Sequence, residues 1–465
     1  VKLRLSLIQG GCGFKFDTSV HCHEGVPLSN ERFARFDLKI LMASTPAVGH
    51  LNPLLAIARL LHSKGDDVIL TTATSLASRV TNAGVRFKPL ELEANIDLRQ
   101  IHKILPDLEQ FPPGPLREGY VFKRVFLDTM PAQARTLQAL IDSEKPDVVI
   151  VDQIFCGSTP LFLDTRHPRP PLITVGVSFL PLNRPDGAPL WLGLPPASDA
   201  DTRHRYAELS AQVDASFEPV LSYTNDLLRT MGVPVIQEAL MQARVMHCDA
   251  YLMPTAPAFE YDFYALPKHV HFIGALPPPP TTVPFPDWWA DLDDDRRIVL
   301  VTQGTVANTD LSQLIEPTLT ALANRDDLLV VVTTGGRSVE DIAVDVPRNA
   351  RLASFLPFDA LLPKVDVLVT NGGYGTVSMA LAQGIPVVVS GLTEDKAEVG
   401  ARVAWFGVGI NLASNSPTAE ALNAAVAEVL DTDRFRTKTR LMSENFRTTD
   451  FYENISTIIA DLVPN

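Results

Sequence analysis

Residues 367–391 read VLVTNGGYGTVSMALAQGIPVVVSG. A β-branched run ends at Asn371, two glycines follow, and apolar residues then recur at helical spacing through VSMALAQG. Strand, glycine turn, helix and next strand in that order make one β/α unit of a parallel sheet. The turn is also how a backbone is prepared to meet a phosphate. Glycines remove side-chain bulk, and the helix N-terminus aims its N–H groups at the space they leave. Asn371 itself is open to two readings, a ligand contact or a turn residue.

Similar units extend outward from this stretch. Upstream lie IVLVTQGT, LLVVVTTGG and ARLASFLP, each a buried-strand run closed by a turn. Further back, ALPPPPTTVPFPDWWADLDDDRR interrupts the pattern, and four consecutive prolines favour an extended connector. Before it a first series runs LKILMAST, PAVGHLNP, LLAIARLLHSKG, DVILTTA, the helix-period LDTMPAQARTLQALIDS, DVVIVD and LITVGV. Strands alternating with helices imply a parallel sheet covered on both faces. The expected fold is therefore α/β, with two Rossmann-like β/α/β domains at 38–275 and 298–445 joined by a proline-rich linker at 276–297. DFYENISTIIADLV, within 446–465, has the periodicity of a closing helix. A proline-rich excursion from Leu180 to Ser198 is a candidate binding loop, since irregular segments of that length are uncommon in compact domains unless functional or disordered.

Bulk properties exclude several classes. At 465 residues the chain exceeds one ordinary core. Its apolar content of 46% and charged content of 20% are globular values, and no run approaches the ~18 apolar residues of a membrane span. A soluble, cytoplasmic protein without membrane insertion is expected. The net charge of −14 argues against nucleic acid as a partner, which requires a dominant basic surface. Cys12, Cys22, Cys156 and Cys248 are too few and too irregular for a disulfide framework or zinc ribbon. Residues 1–37 differ in character and read as an N-terminal extension. Within them His21, Cys22 and His23 are adjacent, which does not let them converge on a metal as spaced ligands do. The DLDDD of the linker reads as a solvated charge run.

Ligands of parallel α/β domains bind beyond the carboxyl ends of the strands, so the loops there carry the chemistry. His50 follows the first strand, after a glycine that permits close backbone approach. Asp152 ends VVIVD, where an Asp is either a helix cap or the partner of an imidazole. As a dyad, the carboxylate would fix the His tautomer while the other ring nitrogen removes a proton. After the second domain's first strand, Gly304 and Thr305 offer N–H groups and a hydroxyl to an anion. Gly373, Gly375 and Thr376 repeat that offer in the opening stretch, and together the two loops point to a diphosphate site. No Gly-x-Gly-x-x-Gly follows either first strand and no Walker loop occurs, which sets a dinucleotide oxidoreductase aside.

These residues resemble the GT-B glycosyltransferases of family 1, over about Leu38 to the C-terminus. The likeness is strongest from Phe355 to Lys396, similar to a donor signature that begins Trp-x-x-Pro-Gln, passes through His-Cys/Gly-Gly and ends Asp/Glu-Gln. The resemblance places Phe355 where an aromatic ring stacks on uracil and Phe358 where Gln is usual. Asn371 takes the place of a phosphate-binding His, Met379 that of a ribose-binding Glu, and Asp395 with Lys396 that of the sugar-binding pair. GHLNP is similar to the family's catalytic-His motif, making His50 the base and Asp152 its partner. The macrolide- and sterol-type branches, with GGxGT, are nearer than the plant ones.

What the resemblance implies is an inverting transfer of a hexose, glucose first, from a UDP-sugar to a hydroxyl of an apolar small molecule, with no metal and no bound cofactor. Phe122, Phe126, Phe155, Phe179 and Trp191 are the candidate acceptor wall. Two other classes stay open: a non-catalytic nucleotide-sugar binder, motivated by Asn371 and Met379, and a GT-B-shaped sugar-nucleotide epimerase.

Overall fold

The computed structural model describes residues 38–111, 115–263, 265–278, 283–305 and 308–463. The extension at 1–37, with His21, Cys22 and His23, lies outside them.

Seven parallel strands form the first sheet: β1 (Lys39–Ala43), β2 (Asp67–Thr72), β3 (Arg86–Pro89), β4 (Val148–Asp152), β5 (Leu172–Val175), β6 (Ala250–Met253) and β7 (Val270–Phe272). Their order is β3-β2-β1-β4-β5-β6-β7. Six more form the second: β8 (Arg297–Thr302), β9 (Leu328–Thr333), β10 (Ala350–Ala353), β11 (Val367–Thr370), β12 (Val387–Val389) and β13 (Gly409–Asn411), ordered β10-β9-β8-β11-β12-β13. In each sheet the chain winds outward one way, returns to the middle and winds the other way. The reversal opens a crevice between β1 and β4, and another between β8 and β11.

Residues of β1 alternate between two cores. Ile40 and Met42 join the cluster of Leu51, Leu54 and Leu55 on one face, and Leu41 and Ala43 join that of Leu127, Met130 and Leu137 on the other. Burial on both faces is why the strand reads as an unbroken apolar run. Each enclosed Leu, Ile or Val contributes about 1.5–3 kcal/mol relative to exposure. β8 alternates likewise, with Val299 and Val301 in one cluster and Ile298 and Leu300 in another. The cluster holding Leu300 also takes in Phe179, Tyr251 and Phe259 of the first domain, so one apolar core is shared by both. The closing helix Phe451–Leu462 inserts Ile455, Ile458 and Ile459 into the cluster on the first sheet, and Lys64 lies over the Tyr452 ring at 4.3 Å.

The sequence reading leaves β3, β6, β7 and β13 unassigned. Each is three or four residues long, too short to display a period. Two boundaries also move. The helix after β1 spans Val48–Ser63, so it takes in GHLNP, and His50 lies at its start as expected, in the first turn. The helix after β11 begins at Tyr374, which places Gly375 inside it. The linker acids are not simply solvated: Asp291 pairs with Arg351 at 2.5 Å and Asp293 with Lys364, fastening the linker to the second domain. Among the described residues no helix is long and apolar enough to cross a membrane.

Candidate active site

The crevice of the first sheet holds His50 and Asp152. Ala43 pairs with Val151 in register, so the chain leaving β1 and the end of β4 emerge side by side. Asp152 Oδ1 lies 2.9 Å from His50 Nδ1 and accepts the Ile154 N–H at 2.8 Å and the Thr45 hydroxyl at 3.1 Å. Its Oδ2 accepts the Thr45 N–H at 2.5 Å. The carboxylate is fully enclosed, and burial by itself would push its pKa up. His50 and the Thr45 and Ile154 N–H groups outweigh that and hold it below the usual carboxylate value. A charged, saturated acceptor at Nδ1 keeps the proton there and leaves Nε2 as the basic nitrogen. The His50 side chain is 18% exposed, and among the described residues Nε2 has no hydrogen-bond partner. Such a group can take a proton from a hydroxyl placed before it.

Buried Arg244 secures the loop behind this dyad. It donates to the Asp152 and Phe155 carbonyls at 3.3 and 2.7 Å and to the hydroxyls of Ser158 and Thr159 at 2.8 and 3.0 Å. Neither Thr45 nor Arg244 stands out in the sequence. Thr45 sits at the carboxyl end of a buried strand, the one signal that would have found it.

The crevice of the second sheet gathers the other loops. Thr302 pairs with Thr370, and Asn371 Nδ2 donates to the Gln303 carbonyl at 2.6 Å, tying the two turns together. Asn371 is thus engaged in loop structure whether or not it also meets a ligand. Gly304 takes φ +74°, its carbonyl accepts from Asn308 at 3.0 Å, and Thr305 is exposed. Gly372 needs its glycine for the fold, because φ is +96° and a Cβ would stand 2.6 Å from Val389. Gly373 and Gly375 do not: neither has a positive φ, and a Cβ on either would meet nothing within 4 Å. They open the Tyr374–Ala382 helix, which no side chain caps. Its first N–H groups are therefore left without a capping side chain, with Thr376 half-buried beside them.

Phe355 follows β10, at the same carboxyl edge of the second sheet. It is 40% exposed, with its ring against Gly336, where a Cβ would come within 2.6 Å. Phe358 turns instead to the shared core, as does Met379. Asp395 precedes the Lys396–Phe406 helix and is half-buried, and burial raises its carboxyl pKa. Lys396 is buried, with its ammonium on Glu394 and 3.5 Å from the Thr393 hydroxyl. It lines a small cleft with Asn371, Gly391 and Thr393.

The expected acceptor wall needs correction. Phe155 is fully enclosed in the core beneath the first sheet, packed among strand and helix residues, and Phe179 is fully enclosed in the shared core. Neither presents a face to a ligand. Phe122 and Phe126 remain half-buried, 5.2 Å apart, and Trp191 is half-buried with its ring edge-on to Phe179 at 4.9 Å. Phe122 and Phe126 pack against a different cluster from Trp191, so the five do not form one wall.

Known proteins resemble the chain along most of its length. Residues 316–460 match the family model of the erythromycin biosynthesis protein CIII-like C-terminal domain. The chain is 33% identical to UDP-glycosyltransferase 2 of Phaeomoniella chlamydospora, over 91% of this chain and 95% of that one. It is 35% identical to 4'-demethylrebeccamycin synthase of Lentzea aerocolonigenes, over 91% and 99%. Relatives named UDP-glucosyltransferase, from Starmerella bombicola and Aspergillus versicolor, match at 30%. Among solved structures, the glycosyltransferase of kitacinnamycin superposes with a TM-score of 0.69 at 20% identity, covering 92% of this chain and 99% of that one. The chain belongs to the UDP-glycosyltransferases, enzymes of GT-B fold.

Proposed function

We propose that the protein transfers a hexose, glucose first, from a UDP-sugar to a hydroxyl of an apolar small molecule in one inverting displacement. His50 Nε2 removes the acceptor proton as the oxygen forms its bond to the anomeric carbon. The bond from that carbon to the phosphate oxygen breaks on the opposite face, and the electron pair leaves with UDP. Asp152 holds Nδ1–H and balances the imidazolium. The leaving charge develops beside the N–H groups of Gly373 to Thr376, with Asn371 and Thr305 at the edge. Fixed donors of this kind supply electrostatic stabilisation without a metal ion. Phe355 offers its exposed ring to uracil, Asp395 and Lys396 stand by the sugar, and Phe122, Phe126 and Trp191 are the acceptor contacts that stay accessible.

The observation that carries the reading is the His50–Asp152 pair, saturated on the carboxylate side and open at Nε2. The test incubates the protein with UDP-glucose and a panel of phenols and alcohols, with EDTA present. A β-glycoside from the α-configured donor is expected, and it should vanish in His50→Ala while UDP still binds. An α-glycoside, a requirement for a divalent ion, or epimerised donor with no glycoside would each overturn it.

A further inference from the structure

Away from the reacting groups, three charged side chains are buried where the domains meet. Glu260 lies beyond β6, and Glu398 and Arg402 lie on the Lys396–Phe406 helix of the second domain. Exposure is 5% for Glu260 and 0% for the other two. Glu260 Oε2 accepts from Arg402 Nε and Nη2 at 3.0 and 2.8 Å, and Glu398 Oε2 accepts from Arg402 Nη1 at 2.8 Å. Burial alone would lower the guanidinium's pKa, and Glu260 and Glu398 beside it reverse that and raise it above the usual value. The cluster reaches further on both sides. Glu260 Oε1 accepts the Tyr374 hydroxyl at 3.3 Å and the Leu180 N–H at 3.2 Å, and Glu398 Oε1 accepts the Gly193 N–H at 3.1 Å. Gly193 takes φ +61°, and a Cβ there would stand 2.4 Å from the Ala397 carbonyl.

Tyr374 begins the helix at the phosphate cradle, Arg402 lies on the helix that starts at the sugar-binding pair, and Leu180 and Gly193 belong to the proline-rich excursion. One cluster thus grips both donor helices and the excursion from a single first-domain residue. Stability is a weak reason for it, because well-packed apolar side chains often replace buried ion pairs at no loss. We propose that Glu260 is a positioning residue: through Arg402, Tyr374 and Leu180 it fixes the donor helices against the acceptor side, so that the anomeric carbon stands before His50. This rests on the transfer reading above.

The test uses the full chain carrying Glu260→Gln, which keeps shape but loses one acceptor. A second variant carries Glu260→Leu, Glu398→Leu and Arg402→Met together, which strands none of the three charges and guards against misfolding of the first. Transfer kcat should fall about 10- to 100-fold in whichever variant folds, the loss expected for an ångström of misplacement. UDP affinity and donor KM should stay within about threefold, the split that separates positioning from binding. More of the donor should be lost to water per glycoside formed. A folded triple variant with wild-type kcat overturns the proposal, as does a kcat loss matched by an equal loss of UDP affinity. X-ray scattering reads the clamp without turnover: the envelope should widen in the variants, and an unchanged one counts against it. Absence of any glycoside from the wild type would overturn the transfer reading instead, and the scattering result would still decide the clamp.

Discussion

The crevices of the two sheets occupy equivalent places and are built in opposite ways. Between β1 and β4 a carboxylate with no exposure receives Thr45, Ile154 and His50 and leaves one nitrogen, His50 Nε2, to act. Between β8 and β11 the side chains of Asn371, Thr393 and Lys396 line a small cleft, and the start of the following helix is left to backbone alone. Gly373 and Gly375 face empty space, and the helix they open has no capping side chain. In the proposed reaction the first crevice moves a proton, which needs one basic atom at one place and so saturated, buried supports. In the proposed reaction the other crevice stabilises a diphosphate, which needs several donors spread over a charge, and uncapped backbone N–H groups suit that better than any one side chain. Breaking either crevice should produce failures of different kinds.

The largest effect is expected from His50→Ala, a loss of about 10²- to 10⁴-fold in kcat with UDP affinity unchanged. Steady-state rates with a phenol acceptor and calorimetric UDP titration measure the two halves separately. Equal loss of both would mean that the crevices are not divided as described. Asp152→Asn comes next, about 10²-fold, since the imidazole stays but its tautomer is released. The same residue sets an acid limit on the fold. Burial raises its carboxyl pKa, but His50 and the two N–H donors bring the folded value below the unfolded one of about 3.9. Its stabilisation is therefore complete above about pH 4 and lost as the pH falls through the folded value. Melting temperatures between pH 5 and 2 should decline less steeply in Asp152→Asn than in the wild type.

The contrast also governs what the sequence could reveal. Asp152 and Asn371 each end a β-branched run, and residues delivered by a strand to its carboxyl end are legible because strand and turn are local patterns. Contacts across the chain are not. Arg402 meets Glu260 from 142 positions away, and nothing periodic connects them. Phe155 and Trp191 look alike as aromatic residues in loops, yet one is enclosed within the core on the first sheet and the other is half-buried against the shared core. Gly372 and Gly373 read identically as well. Only the backbone angle and the Val389 methyl distinguish the glycine that makes the turn from the one that leaves a space.

That distinction can be broken by substitution. Gly375 lies inside a helix with an ordinary φ and an open Cβ direction, so Ala should fit and stabilise the free protein by about 0.5–1 kcal/mol. UDP affinity should nevertheless fall about tenfold, the equivalent of one lost net hydrogen bond to a charged group. Gly372→Ala should behave conversely, losing about 1–3 kcal/mol of stability at its positive φ. Thermal melts with and without UDP separate the two, and parallel behaviour would place both glycines in the turn alone. Beyond β10, Phe355→Ala removes an exposed ring, so it should leave the melting temperature nearly unchanged. Its cost should appear in UDP binding, at or below about 1 kcal/mol, the low end for a base stacked on an aromatic side chain.

Asn371→His carries the smallest expected effect and separates the two readings of that residue. The amide spends an N–H on the Gln303 carbonyl, which joins the turns after β8 and β11. An imidazole Nδ1 stands about where the amide nitrogen does, so a His can keep that bond and extend Nε2 outward. If the outward direction leads to the phosphates, protonated His adds a charge-assisted contact, and UDP should bind a few-fold more tightly below about pH 6.5. The gain should vanish as the pH rises and the ring loses its proton. If Asn371 serves only the turn, the larger ring gains nothing at any pH, and the buried position makes it a loss. The sign of the change and its pH dependence therefore answer together. A gain confined to low pH would show that this crevice still has room for the side-chain charge that the other one uses.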